Sequence, residues 1–319
     1  MVHTKAIARV PDEIFVMIFS LLRKPDLRTL MLVCKQWAKN TVGLLWSYAQ
    51  VKDGDLVWRT LATPKPFFDY RSMVEVVRLD SNMTDDEVLP HKFRIKDLLL
   101  IDCRLTETGF AALLQDPTSL STLTIVSDKN ENTGVCIRTI ANRCTALQSL
   151  RISFCEASLQ SLSTLSKSCE SLKNVTFQDC PQLLDEDILA LTENCKNTVE
   201  FKLLCVDVCK LVDHVAFLGL PDKELKHLNF LSLSHSSLTD AAIPHIIRAA
   251  PMIQVLNLQY CRITNAALPA ISRLKNLESL YVYDAEITKA EIQVLMACTA
   301  IRETHHNGSI ATRLPGLSR

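Results

Sequence analysis

Twelve cysteines and eight histidines are the residues of this 319-residue chain with the most chemistry to offer. A cysteine nucleophile needs a paired base and an orienting third group. Zinc needs closely spaced pairs of thiolate or imidazole ligands. The tightest grouping is Cys205 and Cys209 with His214 behind them, and no second pair stands nearby to complete a zinc site. His305-His306 opens a polar stretch and is expected to lie exposed. Neither a GxSxG elbow nor a glycine-rich phosphate loop appears, and seven glycines are few for such loops. The expectation is a chain without catalytic residues, metal or cofactor.

Most of the cysteines instead fall into a repeat. Leu147-x-x-Leu150-x-Ile152-x-x-Cys155 recurs as Leu172-x-x-Val175-x-Phe177-x-x-Cys180, as Ile95-x-x-Leu98-x-Leu100-x-x-Cys103 and as Ile253-x-x-Leu256-x-Leu258-x-x-Cys261. Val74-x-x-Val77-x-Leu79-x-x-Asn82 is the same unit with Asn in the Cys place, and weaker copies begin at Leu120, Thr198, Leu228 and Leu277. That makes about nine units, at spacings typical of leucine-rich repeats. Alternating apolar residues give each unit one short parallel strand with a buried face, and a small Cys or Asn lies inside as the chain turns. A second series, Cys144, Cys169, Cys195 and Cys298, precedes the next strand and is expected to seal helix ends.

The other half of each unit reads as helix. Thr106 to Leu114 and Asp185 to Leu191 begin with capping residues and carry an apolar stripe. Thr84-x-x-Glu87 and Thr288-x-x-Glu291 are capping boxes. Pro90, Pro244 and Pro269 predict short, late helices in their units. The fold class is therefore α/β, a solenoid with strands on the concave side and helices on the convex side.

Outward strand positions line the concavity. Between the last two apolar anchors they give Arg78, Leu99, Thr124, Arg151, Thr176, Lys202, Ser232, Asn257 and Tyr281. Strands lie about 4.8 Å apart, so Arg151 and Lys202 stand roughly 10 Å from each other. Arg78, Arg151 and Lys202 are candidates to meet an acidic or phosphorylated segment. Phe230, Tyr260, Tyr281 and Tyr283 make an aromatic patch near the C-terminal end, the residue class favoured at binding hot spots. With Asp80, Asp97, Asp102 and Asp179 alongside, the same charges also read as a plain solvated face.

Bulk properties bound the rest. Lys plus Arg equals Asp plus Glu at 35 each, so no global field favours nucleic acid or anionic membrane. No apolar run has the length of a membrane span. The opening residues lack the apolar core of a secretory signal, and cysteines without such a signal indicate a reducing compartment, cytoplasm or nucleus.

Ahead of the repeats, Val10 to Trp46 reads as three short helices, with breaks expected at Lys24-Pro25-Asp26 and at Lys39-Asn40. Ile14, Ile18 and Leu22 form a stripe on the first, and Leu27, Leu30, Cys34 and Trp37 on the second, which Asp26 is placed to cap. Apolar residues cover more than one side of the first helix. A unit of about 40 residues is close to the lower limit for folding alone, and surplus apolar surface marks a docking face.

Pro11-Asp12-Glu13, Ile18-Phe19, Leu22, Asp26-Leu27, Val33-Cys34-Lys35, Trp37 and Leu45-Trp46 stand in the order and spacing of an F-box, with Val-Pro where Leu-Pro is usual. This segment resembles that family. The resemblance implies binding to a Skp-type adaptor, and through it to a cullin and a RING protein, with Val10, Pro11, Ile14, Ile18, Leu22, Leu27, Val33, Cys34 and Trp37 as contacts. The cysteine-containing repeats are similar to those of F-box proteins. Lys65 to Arg71, with Val74 to Pro90, is similar to the joint of the fungal glucose-repression-resistant type, although the array is shorter and Thr304 to Arg319 does not complete a unit. The implied organisation is an F-box over 1–50, a helical linker over 51–73 with Trp58 and Leu61 at helical spacing, repeats over 74–303 and a tail over 304–319. The implied function is a non-catalytic substrate receptor of a Skp-cullin-F-box ubiquitin ligase, whose targets the resemblance suggests are phosphorylated. The alternative is an interaction scaffold that promotes no degradation.

Overall fold

The computed structural model describes residues 10–51, 59–61, 63, 65–80, 83–88, 94–114, 116, 118–126, 133–155, 159, 161–204, 220–306 and 309–312. The nine expected units supply β2 (Val76–Asp80), β3 (Asp97–Ile101), β4 (Thr122–Val126), β5 (Ser149–Ser153), β6 (Asn174–Gln178), β7 (Glu200–Leu204), β8 (Phe230–Ser234), β9 (Val255–Asn257) and β10 (Ser279–Tyr281). They share one sheet in sequence order with β1 (Tyr48–Val51), β11 (Glu303–His306) and β12 (Ser309–Thr312). β1 to β11 run parallel, and β12 returns antiparallel on β11.

Register follows from the anchors. Leu147, Leu150 and Ile152 are fully buried, as are their counterparts from Val74, Val77 and Leu79 through Leu277, Leu280 and Val282. Because side chains alternate along a strand, burying those positions turns the residue between the last two anchors outward. Arg78, Leu99, Thr124 and Arg151 accordingly stand side by side. Helices such as Glu107–Leu113, Leu162–Ser168 and Asp185–Asn194 lie over the other face, and one continuous core runs from Ala49 to Ile301. Of the prolines expected to shorten helices, Pro244 does not, lying inside the eight-residue helix Ala242–Ala249, and Pro90 lies outside the described residues. Pro269 sits in a four-residue helix, Leu268–Ile271, behind a 3-10 turn.

Both cysteine series are built in. Corner thiols donate to a carbonyl of the preceding strand: Cys103 to Leu79 at 3.3 Å, Cys180 to Ile152 at 3.6 Å and Cys261 to Leu233 at 3.0 Å. In the second series Cys169 donates to the Cys144 carbonyl at 3.1 Å. Cys298 departs from this, lying exposed at the end of helix Lys289–Cys298, after which the described residues supply no further helix.

Helix starts are tied between units. Thr106 caps its own helix and donates its N–H at 2.8 Å and its hydroxyl to Asp85 of the preceding unit. Thr264 does the same to Asp240, with N–H at 2.8 Å and hydroxyl at 2.6 Å, and Thr288 donates its N–H to Asn265 at 3.0 Å. A Cβ at Gly109 would collide with the Asp85 carboxylate.

Both ends of the array differ from expectation. The sheet starts before the first expected unit, since Tyr48–Val51 pairs with β2 immediately after the last N-terminal helix. The expected tail supplies β11, whose buried anchors Ile301, Thr304 and His306 repeat the unit's spacing in largely polar residues. His306 is therefore not exposed: it is buried and its Nε2 lies 2.6 Å from the Ile287 carbonyl oxygen.

The N-terminal helices are Asp12–Phe19, Lys24–Leu30 and Lys35–Trp46. The first break falls at Ser20–Arg23, since Lys24-Pro25-Asp26 open the second helix. The second falls at Met31–Cys34, not at Lys39-Asn40, so Cys34 stands just ahead of the third helix instead of continuing the second. Asn40 stays helical because Asp12 holds it, accepting from Asn40 Nδ2 at 2.8 Å and from Gln36 Nε2 at 3.1 Å. Asp26 is not the cap. It lies in the first turn behind Pro25 and pairs with Arg23 at 3.3 Å.

Two outcomes check this packing. Gly→Ala inside a helix normally stabilises by about 1 kcal/mol, but Gly109→Ala must displace Asp85 from Thr106, bonds to a charged group worth about 1.5–3 kcal/mol. Chemical unfolding should show a net loss of about 1 kcal/mol. The Asn40 and Gln36 amides and the Lys39 charge hold the Asp12 carboxyl below its ordinary range. Its contribution is therefore present above the usual aspartate range and lost as pH falls through the lower folded value. The stability gap between the parent and Asp12→Ala, measured by urea unfolding, should close on acidification.

Candidate functional site

The N-terminal helices enclose a small aromatic centre. Phe15, Phe19 and Leu27 are buried, and Phe19 meets Trp37 edge-on at 5.2 Å while Phe15 lies 5.9 Å from it. Two residues expected to contact an adaptor thus serve this centre: Leu27 is only 4% exposed, and Trp37 is half-buried against both phenylalanines. Val10 is also half-buried. The remaining expected contacts, Pro11, Ile14, Ile18, Leu22, Val33 and Cys34, face outward.

Spacing explains the split. Phe15 and Phe19 lie four apart and take the inward face, which leaves Ile14, Ile18 and Leu22 on the other. Met17, Leu21 and Leu32 join that surface, with Leu21 85% and Leu32 87% exposed. The Phe19–Trp37 contact brings the end of the first helix beside the start of the third, so the two exposed stretches flank one centre. Solvated Leu, Ile, Met and Val in such density have the character of an interaction site.

This module is joined directly to the sheet. Ser47 ends the third helix, and its carbonyl accepts from Glu75 N at 3.0 Å and Val76 N at 2.8 Å. Trp46 packs on Tyr70 with ring centroids 4.4 Å apart. Arg71 Nε donates to the Leu61 carbonyl at 2.6 Å, and Leu61 is fully buried; Trp58 lies outside the described residues.

On the concave side, the expected cations divide. Arg78 is committed to Asp80 at 2.7 Å, and Lys202 pairs with Glu200 at 2.8 Å with its ammonium 4.4 Å from the Phe230 ring centroid. Arg151 is exposed and donates to neutral partners, Gln178 at 2.6 Å and Ser153 at 3.3 Å. The aromatic patch divides too. Tyr260 packs edge-on against Tyr283 at 5.2 Å, whereas Tyr281 stacks on His305 at 4.3 Å and Phe230 belongs with Lys202. His235, stacked on Tyr260 at 4.0 Å, and His305 were not anticipated from the sequence. Their places in the unit give the signal: His235 aligns with Tyr260 before the corner, and His305 with Tyr281 between the anchors.

Thiol chemistry is held back by burial, which pushes Cys144 and Cys195 up to about 12 and Cys169 and Cys180 up to about 11. These groups are protonated at neutral pH, and the thiolate is the reactive form. Cys205, Cys209 and His214 lie outside the described residues. No described helix is long and apolar enough to cross a membrane.

Among solved structures, an internalin (inlF) from Listeria monocytogenes is similar at 14% identity, covering 89% of this chain and 93% of that one, with a TM-score of 0.48. A chain of the Rad7 and Elc1 complex in yeast is similar at 14% identity over 87% of this chain and 90% of that one, with a TM-score of 0.47. The N-terminal module is matched more specifically, since residues 7–49 fit the F-box-like family model.

Proposed function

We propose that this chain is the substrate-recognition subunit of a Skp-cullin-F-box ubiquitin ligase in the cytoplasm or nucleus. The outward residues Pro11, Ile14, Ile18, Leu22, Val33 and Cys34, with Met17, Leu21 and Leu32, dock a Skp-type adaptor, which brings a cullin and a RING protein. The concave face holds a protein target near the ubiquitin-charged enzyme, and catalysis comes from proximity. The observation that carries this reading is the solvated apolar face on an F-box-like module whose own core is already closed by Phe15, Phe19, Leu27 and Trp37.

A phosphorylated target finds little support in the charges. Two of the three expected cations are paired with carboxylates of the same chain, and phosphate recognition uses clusters of available Arg. The reading therefore extends to a protein segment, with phosphorylation left out.

Ile18→Asp with Leu21→Asp should abolish co-purification of adaptor and cullin while leaving the melting temperature unchanged, because both positions are solvated. Phe19→Ala should instead lower stability by about 3 kcal/mol. Retention of the cullin by the double variant overturns the docking face, and adaptor capture by the parent without any cullin selects the scaffold alternative. In a second readout, bound adaptor should shield Cys34 from maleimide while Cys298, the other exposed described cysteine, still reacts.

A further inference from the structure

Asp102, Phe154, Asp179, His235, Tyr260 and Asp284 each stand between the last outward strand position and the corner, and each has φ between 50° and 57°. The first five donate their N–H to the neighbouring strand or to the second residue beyond it at 2.7–3.0 Å, which holds the left-handed turn in place. Aspartate and histidine tolerate this backbone, whereas bulky side chains rarely occupy it. The Tyr260 ring at such a position opposes local preference, and an outlier of that kind is grounds for a functional hypothesis.

Two of these rings are consecutive. His235 stacks on Tyr260 at 4.0 Å and 23°, and Tyr260 meets Tyr283 at 5.2 Å, so one ridge crosses three strands. Tyr260 and Tyr283 remain 41% and 37% exposed. β8 to β11 contain no Lys or Arg, while Asp284 and Glu303 add carboxylates at this end. Asp284 is near enough to help, after burial and Tyr283, to raise the Tyr260 phenol. Ring faces carry a negative quadrupole that attracts cations, and a carboxylate beside them adds a charged acceptor. Lys202 over Phe230 at 4.4 Å already makes such a pairing one strand away.

We propose that the ridge of His235, Tyr260 and Tyr283, with Asp284 beside it, docks a lysine or arginine side chain of a partner protein segment. This deepens the receptor reading by naming the chemistry of the bound segment. It is assayed on the full chain without adaptor, so either reading can fail alone.

The probes are fluorescein-labelled glycine-serine peptides carrying two arginines, two lysines, two glutamates or two leucines, read by anisotropy at low salt. The arginine and lysine peptides should bind about tenfold tighter than the others, and Tyr260→Asn with Tyr283→Ser should weaken the arginine peptide about tenfold. Asp284→Asn should cost about threefold. Asn suits the left-handed backbone, so the double variant should melt near the parent. Equal or tighter binding of the glutamate or leucine peptide overturns the proposal, as does binding of none. So does a folded double variant that keeps full affinity. Should that variant unfold, the peptide series on the parent and Asp284→Asn decide.

Discussion

No unit of this solenoid can close its own core. Each strand presents Leu-x-x-Leu-x-Leu anchors that merge with those of its neighbours into one continuous core, so stability is shared between adjacent units and the two ends need separate solutions. At the N-terminal end the solution is the F-box-like module, whose third helix runs into β1 with Ser47 alone between them. At the C-terminal end the anchors turn polar at Thr304 and His306, and β12 folds back antiparallel on β11. The N-terminal module therefore has two tasks: it covers the first unit and presents a surface of its own.

Those tasks are separated by residue spacing in one short helix. Phe15 and Phe19 close the centre with Trp37, and their neighbours face water. Fully burying a Leu, Ile or Met is worth about 1.5–3 kcal/mol, so a partner covering only a few of them gains substantial affinity. Asp12 fixes the presentation by joining the first helix to the third through Asn40 and Gln36.

Much of this was legible because anchors and corners recur. Burial of Leu147, Leu150 and Ile152 follows from their spacing, and so does the row of Arg78, Leu99, Thr124 and Arg151. The helix break at Met31–Cys34 was hidden because no Gly or Pro marks it, while Lys39-Asn40 looks like a break until Asp12 is brought across. β11 was missed because Thr304 and His306 satisfy buried anchor positions with hydrogen bonds instead of apolar area. The concave charges could be placed in a row from sequence, but whether each cation finds a carboxylate depends on rotamers that spacing does not determine.

The direct passage from Trp46 through Ser47 into β1 leaves no slack segment between the N-terminal module and the sheet. In a receptor built this way, location along the sheet becomes a length scale, since moving the grip by one strand displaces the prey about 4.8 Å. On the proposed receptor reading, the array would work as a vernier, with the choice of strands that hold a protein selecting which of its lysines come within range.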